Sequence, residues 1–397
     1  MRPSPEQVSK VACPPYDVVD ATEAREMARD NPMCFFHISR PEIDLQPGVD
    51  PCSDDVYAKA ADNFSQFQRK GYLIRDNELS VYVYRLVMGE HQQTGIVSVC
   101  HVDDYNRGVI KKHEKTRKAP EEDRTRHTAA LNANAGPVFL AYHDNIGIDH
   151  QVSRLQQAPP LFDFVAPDGV RHTLWKISRA TEVVNLFAAV NCAYIADGHH
   201  RAAAAARVAE LRRKGNTDHR GDEEYNWFMA VLFPAGQLKI MPYNRCVRDL
   251  NGMDSASFLK KIEGIFTLES GAQPSPKKPT NISMYLDGRW YGLSWKNDPG
   301  ADPVSLLDVS VLQDRLLSPI LGIDDPRNNP RIEFVGGIRG TGELVKRVDS
   351  KRSMVAFSMY PTTIDQLMAI ADAGQVMPPK STWFEPKLRS GLLVHTL

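Results

Sequence analysis

The sequence has no uninterrupted apolar run long enough to span a bilayer, and no charged-then-apolar leader at its start. The expected location is therefore the cytoplasm. Neither sign of charge is in excess: Lys plus Arg number 48 and Asp plus Glu 49. That balance argues against duplex nucleic acid as the main partner, because such partners usually leave a basic footprint. No two of the six cysteines form a C-x-x-C pair. Cysteines scattered through 397 residues read as reduced, mostly buried thiols and disfavour a cysteine-built zinc site. A G-x-G-x-x-G run after a clear strand is missing, which disfavours a dinucleotide fold. So are G-x-S-x-G and a Cys–His signature of nucleophilic catalysis. His101, His113 and His127 lack zinc-ligand spacing on one helix face, so no metal ligand is assigned and metal-catalysed hydrolysis is disfavoured. No internal repeat is evident.

What is present fits an ordinary soluble globular protein, with 42% hydrophobic and 24% charged residues. The length suits two or three domains. Proline breaks up the N-terminus, and Cys13-Pro-Pro-Tyr-Asp17 is expected to run extended. The pattern predicts helices over about 22–30, around Tyr57–Phe67, from Pro120 through Leu131, over 303–317 and over 363–373. Strands are expected at Cys34–Ile38, Ser80–Val87 with a hairpin partner at Gln93–Cys100, Pro137–Tyr142, His172–Ile177, Ala193–Ala196 and Trp227–Phe233. A further hairpin turns at Asp287-Gly288. Val183–Val190 suits either a helix or a strand. Arg201–Lys214, rich in alanine and long charged residues, has the strongest helix propensity in the chain. Strands and helices mix throughout, so the fold class is α/β, α+β mixed. A composition shift near Asn251-Gly252 divides an N-terminal region (1–245) from a C-terminal α+β subdomain (246–397).

The chemically richest segment is Tyr194-Ile-Ala-Asp-Gly-His-His-Arg201. A buried strand delivers the chain to Asp197, Gly198 makes a turn without a side chain, and a helix opens. The first amides of a helix have no partner within it, and with the helix dipole they favour an anion. His199, His200 and Arg201 project from the same turn, and Arg201 can grip a phosphate with two nitrogens. Asp197 repels a bare anion, so its role must lie elsewhere. It could cap the helix, hold an amine, or hold the metal ion that accompanies a phosphate. The plain alternative is a capped helix with a packed histidine pair.

Asp197-Gly-His-His-Arg201 resembles the phosphate-binding box of the ParB/sulfiredoxin-like fold, in the version found in its free serine kinases. Sulfiredoxins carry cysteine where this box has histidine. The whole chain resembles the domain of unknown function 1015 family. The resemblance runs through Cys13-Pro-Pro-Tyr-Asp-Val-Val19, Asn31-Pro32, His37-Ile38, Pro41-Glu42, His113-Glu114-x-Thr116, Asp123-Arg124 and Asn134. It continues with the box, Phe334-Val-Gly-Gly337, Met377-Pro-Pro-Lys-Ser-Thr382 and Pro386-Lys387. It implies a ParB/sulfiredoxin-like core over about 95–245 and phosphorylation of free L-serine, with Mg²⁺ and a nucleotide or pyrophosphate as donor. It places the general base at Glu114, where Lys111, Lys112, Lys115, Arg117 and Lys118 are expected to keep a carboxylate ionised. A solvated charge run is the plain alternative there.

Lys380, Ser381, Thr382 and Lys387 form a second candidate anion site on a tail expected to fold back onto the phosphate corner. Tyr16 and Asp17 are candidates for substrate contact, or only parts of a rigid lid, and Arg124 is a further phosphate candidate. Gly336, Gly337, Gly340 and Gly342 could let a phosphate approach the backbone. Two rivals remain open: a phosphoserine phosphatase, and a nucleotide-binding regulator of ParB-like fold.

Overall fold

Helices and strands alternate along the chain in the computed structural model, which describes residues 1–178, 180–298 and 300–397. The class is mixed α/β, as expected. The chain falls into two units: Met1–Leu238 with Pro386–Leu397, and Lys239–Glu385. The boundary thus lies at 238/239, where 245/246 was expected. Tyr243–Val247 is already a strand of the second sheet.

The first unit holds β1 (Val81–Met88), β2 (His91–His101), β3 (Ile110–Lys111), β4 (Ala133–Asn134), β5 (Val138–Tyr142), β6 (Phe162–Val165), β7 (Arg171–Ile177), β8 (Ala193–Asp197) and β9 (Trp227–Pro234). Eight of them form one sheet in the order β3-β8-β5-β9-β2-β1-β7-β6. Two neighbours run parallel, β3 with β8 and β5 with β9; the other pairs are antiparallel. All five residues of β5 are buried, as an apolar run in a covered central strand requires. Val138, Leu140, Ile195, Ala202, Ala205, Ala230 and Leu232 pack in the core below the sheet and the His199–Gly215 helix. A second cluster joins Val11, Phe35, Phe36, Phe64, Phe67, Leu131 and Val394.

Two expected elements differ. Cys34–Ile38 is no strand: the amide of Cys34 donates to the Asn31 carbonyl, and a short helix follows at Phe36–Ser39. The apolar run is buried because a helical turn can be covered on all sides, which periodicity over five residues cannot reveal. The helix expected over 303–317 is regular only at Asp308–Leu312 and continues as a wider turn at Gln313–Leu317. Val183–Val190, left open, contains the helix Thr181–Phe187.

The second unit contains β10 (Lys239–Met241), β11 (Tyr243–Val247), β12 (Thr267–Ser270), β13 (Asn281–Leu286), β14 (Arg289–Ser294), β15 (Ile332–Gly336), β16 (Val355–Met359) and β17 (Trp383–Glu385). Six build an antiparallel sheet, β12-β14-β13-β16-β11-β15. The chain enters and leaves this unit through a two-stranded ladder in which Lys239 faces Glu385 and Met241 faces Trp383. Back in the first unit, the last strand, β18 (His395–Thr396), pairs with β4.

Candidate functional site

The site is set by the parallel pair β3 and β8. Ile110 faces Ala193 and Lys111 faces Tyr194. Both strands therefore leave the sheet at the same end, the carboxyl end where α/β sheets place their ligands. Just past that register His113 bonds the Ile195 backbone and lies within reach of the Asp197 charge. The ligand-capable atoms of His113, Glu114 and His199 lie within 4.8 Å of one another. Glu114 and the Asp197 corner, 83 positions apart in sequence, are thus brought together.

The corner turns at Gly198, which has φ 95° and caps the His199–Gly215 helix without a side chain. The Arg201 amide donates to the Gly198 carbonyl at 2.9 Å, closing the first turn. A Cβ on Gly198 would lie 3.0 Å from the Arg201 guanidinium carbon, so this arginine folds back over the glycine. Arg201 also donates to the Pro137 carbonyl and reaches Asp197 at 3.5 Å. Lys387 reaches the same Asp197 oxygen at 3.3 Å. Burial pushes the Asp197 carboxyl up, but Lys387 and then Arg201 outweigh it and hold the group well below the usual carboxylate range. One anion thus gathers two cations at the start of a helix.

The two histidines of the box differ. His199 is buried, its ring meeting that of His113 edge to face with centroids 4.5 Å apart. Burial, followed by the neighbouring His113, holds His199 well below its ordinary value. Burial also lowers His113, to about 4, against a hydrogen bond to the Ile195 backbone. Both shifts favour the neutral imidazole. His200 accepts a hydrogen bond from the Arg117 amide at 3.0 Å and so ties the start of the Lys118–Leu131 helix to the start of its own. The pair was expected to bind phosphate as cations or donors; the Arg117 amide occupies Nε2 of His200. The basic run before that helix is also partly spoken for: Lys112 lies 3.7 Å from the centre of the Tyr105 ring and Lys111 5.8 Å from that of Tyr194.

Tyr16, Asp17 and Arg124 reach the same neighbourhood. Arg124 stacks 4.0 Å from the centre of the Tyr16 ring and pairs with Asp123 at 2.6 Å. Asp17 is exposed, and after Asp197 it is the next charge that raises Arg201 against the effect of burial. Tyr16, Arg124, Asn134, Arg201 and Ser390 line a cavity of about 40 Å³, room for a few waters rather than a nucleotide.

The constellation expected on the tail is divided between the units. Lys387 stands at the corner, whereas Lys380, Ser381 and Thr382 belong to the second unit. There the Lys380 carbonyl accepts from Arg245 at 3.0 Å, its ammonium lies 5.4 Å from the Tyr243 ring centre, and Ser381 donates to the Pro378 carbonyl at 2.6 Å. Gly336 and Gly337, read as a possible phosphate approach, serve packing instead. A Cβ would meet the Trp383 ring at 2.8 Å in the first and Pro242 at 2.7 Å in the second. His113 was missed because its partner His199 is 86 positions away; the signal was its place next to Glu114, just past a short strand. His101 and His127 have other uses: the first packs edge to face on Trp227 at 4.7 Å, the second bonds the Ile38 carbonyl at 2.8 Å.

No curated protein matches the chain. Among solved structures, a free serine kinase in complex with AMP is 12% identical with a TM-score of 0.38, covering 72% of this chain and 86% of that one. SbnI with a C-terminal truncation, from Staphylococcus aureus, is 12% identical with a TM-score of 0.41, covering 74% and 85%. A conserved hypothetical protein from Pyrococcus furiosus is 14% identical with a TM-score of 0.36, covering 72% and 90%. No helix among the described residues is long and apolar enough to cross a membrane. Residues 1–310 match the family described as protein of unknown function (DUF1015), and the chain belongs to that family.

Proposed function

We propose that the protein transfers a phosphoryl group to the hydroxyl of a small molecule, free L-serine, from a nucleotide or pyrophosphate. The observation that carries this is that Glu114, just past β3, lies beside His199, in the same corner as the Arg201–Asp197–Lys387 cluster at the end of β8. Phosphoryl transfer asks the protein for little covalent chemistry. It needs a carboxylate for the hydroxyl proton, positive charge on the phosphoryl oxygens and in-line placement. Serine itself is taken from the resemblance of the Asp197–Arg201 box.

In this proposal Glu114 takes the hydroxyl proton as the serine oxygen forms its bond to phosphorus. The phosphorus–oxygen bond to the donor breaks, and its electron pair leaves with the donor. Arg201 and Lys387, with the first amides of the His199–Gly215 helix, balance the charge on the phosphoryl oxygens. Asp197, already shared by two cations, is assigned the positioning of both. It is a poor Mg²⁺ ligand for the same reason, and Mg²⁺ would arrive on the donor's phosphate oxygens. Tyr16, Asp17 and Arg124 are retained as candidate substrate contacts.

The test is the purified chain with L-serine, Mg²⁺ and ATP, ADP or pyrophosphate in turn, with O-phosphoserine read by phosphorus NMR. Formation with one donor, and a drop in kcat of about 10²–10⁴-fold in Glu114→Gln, is the expected result. Absence of O-phosphoserine with every donor overturns the assignment, and undiminished turnover in Glu114→Gln removes the base. Release of inorganic phosphate from phosphoserine without an acceptor would favour the hydrolytic direction.

A further inference from the structure

One group of side chains at this end of the sheet has a donor set that phosphate chemistry does not call for. His113 and Glu114 follow β3, and His199 opens the helix after β8. Each offers one ligand atom, and the three atoms lie within 4.8 Å of one another. Ligands at 2.0–2.1 Å around a tetrahedral zinc are about 3.4 Å apart, so a modest side-chain rotation closes the spacing. Two further observations point to a ligand. His199 is only 7% exposed, and its Nε2 is buried with no hydrogen-bond partner among the described residues. Burying such a polar atom unsatisfied is costly unless something binds it. The His113 ring is anchored by a hydrogen bond to the Ile195 backbone. A second-sphere carbonyl of this kind fixes tautomer and orientation in metal-binding histidines.

We propose that His113, Glu114 and His199 bind one divalent ion of the first transition row. Two imidazoles and one carboxylate suit zinc or its neighbours, whereas Mg²⁺ prefers an all-oxygen shell. Three protein ligands leave at least one coordination position for water or a substrate oxygen. Glu114 is the carboxylate assigned above as base, so an ion here competes with that use. The site itself does not depend on phosphoryl transfer, since binding is measured without turnover.

The experiment uses the full chain, stripped of metal with a chelator and dialysed. It is titrated with Zn²⁺ against a chromophoric competitor, then with Co²⁺ while the visible ligand-field bands are recorded. Mg²⁺ in excess is the contrast. The expected result is one tight equivalent of Zn²⁺, Co²⁺ bands of a four- or five-coordinate site, and no displacement by Mg²⁺. Glu114→Gln and His199→Gln should each weaken Zn²⁺ by at least about tenfold. His199 is buried, so Glu114→Gln, at a less buried position, decides the matter if the histidine variant does not fold. Lack of a stoichiometric equivalent, or uptake undiminished in Glu114→Gln, overturns the proposal. Neither outcome bears on the phosphoserine assay, so the two assignments fail separately.

Discussion

At the scale of single residues, the corner rests on one glycine and one arginine. Gly198 holds φ 95°, a conformation that costs an L-residue roughly 1–2 kcal/mol, and its missing Cβ leaves room for the Arg201 guanidinium. Gly198→Ala is therefore expected to lower the free energy of urea unfolding by about that amount and to push Arg201 off its place. Arg201→Lys tests the arginine itself. Its guanidinium spans the Pro137 carbonyl and Asp197, and a lysine ammonium cannot serve both with the same fork. A loss of phosphate affinity, read by calorimetric titration, together with a loss of stability from the unfilled fork, read by urea unfolding, is the expected outcome. The glycine turn and the histidines and arginine after it were legible because they sit within five consecutive residues. Lys387 was legible only as part of a run. The contacts that hold Lys380, Ser381 and Thr382 inside the second unit depend on Arg245, Tyr243 and Thr362, far off in sequence.

At the scale of elements, helix starts carry specific side-chain work. Asp20 and Glu23 form a reciprocal cap on the Ala21–Ala28 helix, with the Glu23 amide donating to Asp20 at 2.8 Å and the Asp20 amide to Glu23 at 2.9 Å. Asp20→Ala should cost about 1 kcal/mol in urea unfolding. Asp308 opens the Asp308–Leu312 helix with a different consequence. Burial pushes its carboxyl up to about 6 from 3.8, against the Thr280 and Asn281 amides. The folded chain then binds this proton more tightly than the unfolded one. The associated stability is full below about pH 4 and is lost as pH rises through about 6, amounting to about 3 kcal/mol. Asp308→Asn should remove this slope from the urea midpoint measured between pH 4 and 7. Elements with long, consistent patterns, such as β1, β2 and the alanine-rich His199–Gly215 helix, follow their sequence closely. Cys34–Ile38 does not, because a run of four apolar residues and one histidine fits a covered helical turn as well as a covered strand. The parallel register of β3 with β8, which assembles the site, leaves no local mark, since β3 is two residues long.

At the scale of the whole molecule, twelve residues close the first unit after the chain has built the second. Pro386–Leu397 supplies Lys387 to Asp197, Arg389 to His172 at 3.2 Å, strand β18 to β4, and buried Leu388, Leu392, Leu393 and Val394. Each such aliphatic side chain is worth about 1.5–3 kcal/mol on burial, so their sum rivals the net stability of a domain. A chain ending at Glu385 is expected to lose cooperative thermal unfolding of the first unit, as followed by calorimetry. That dependence sits beside a topological convenience. The second unit departs and returns through the paired strands β10 and β17, with Lys239 facing Glu385. A detour whose two ends are neighbours can be excised, swapped or duplicated by one genetic event without rerouting the host sheet.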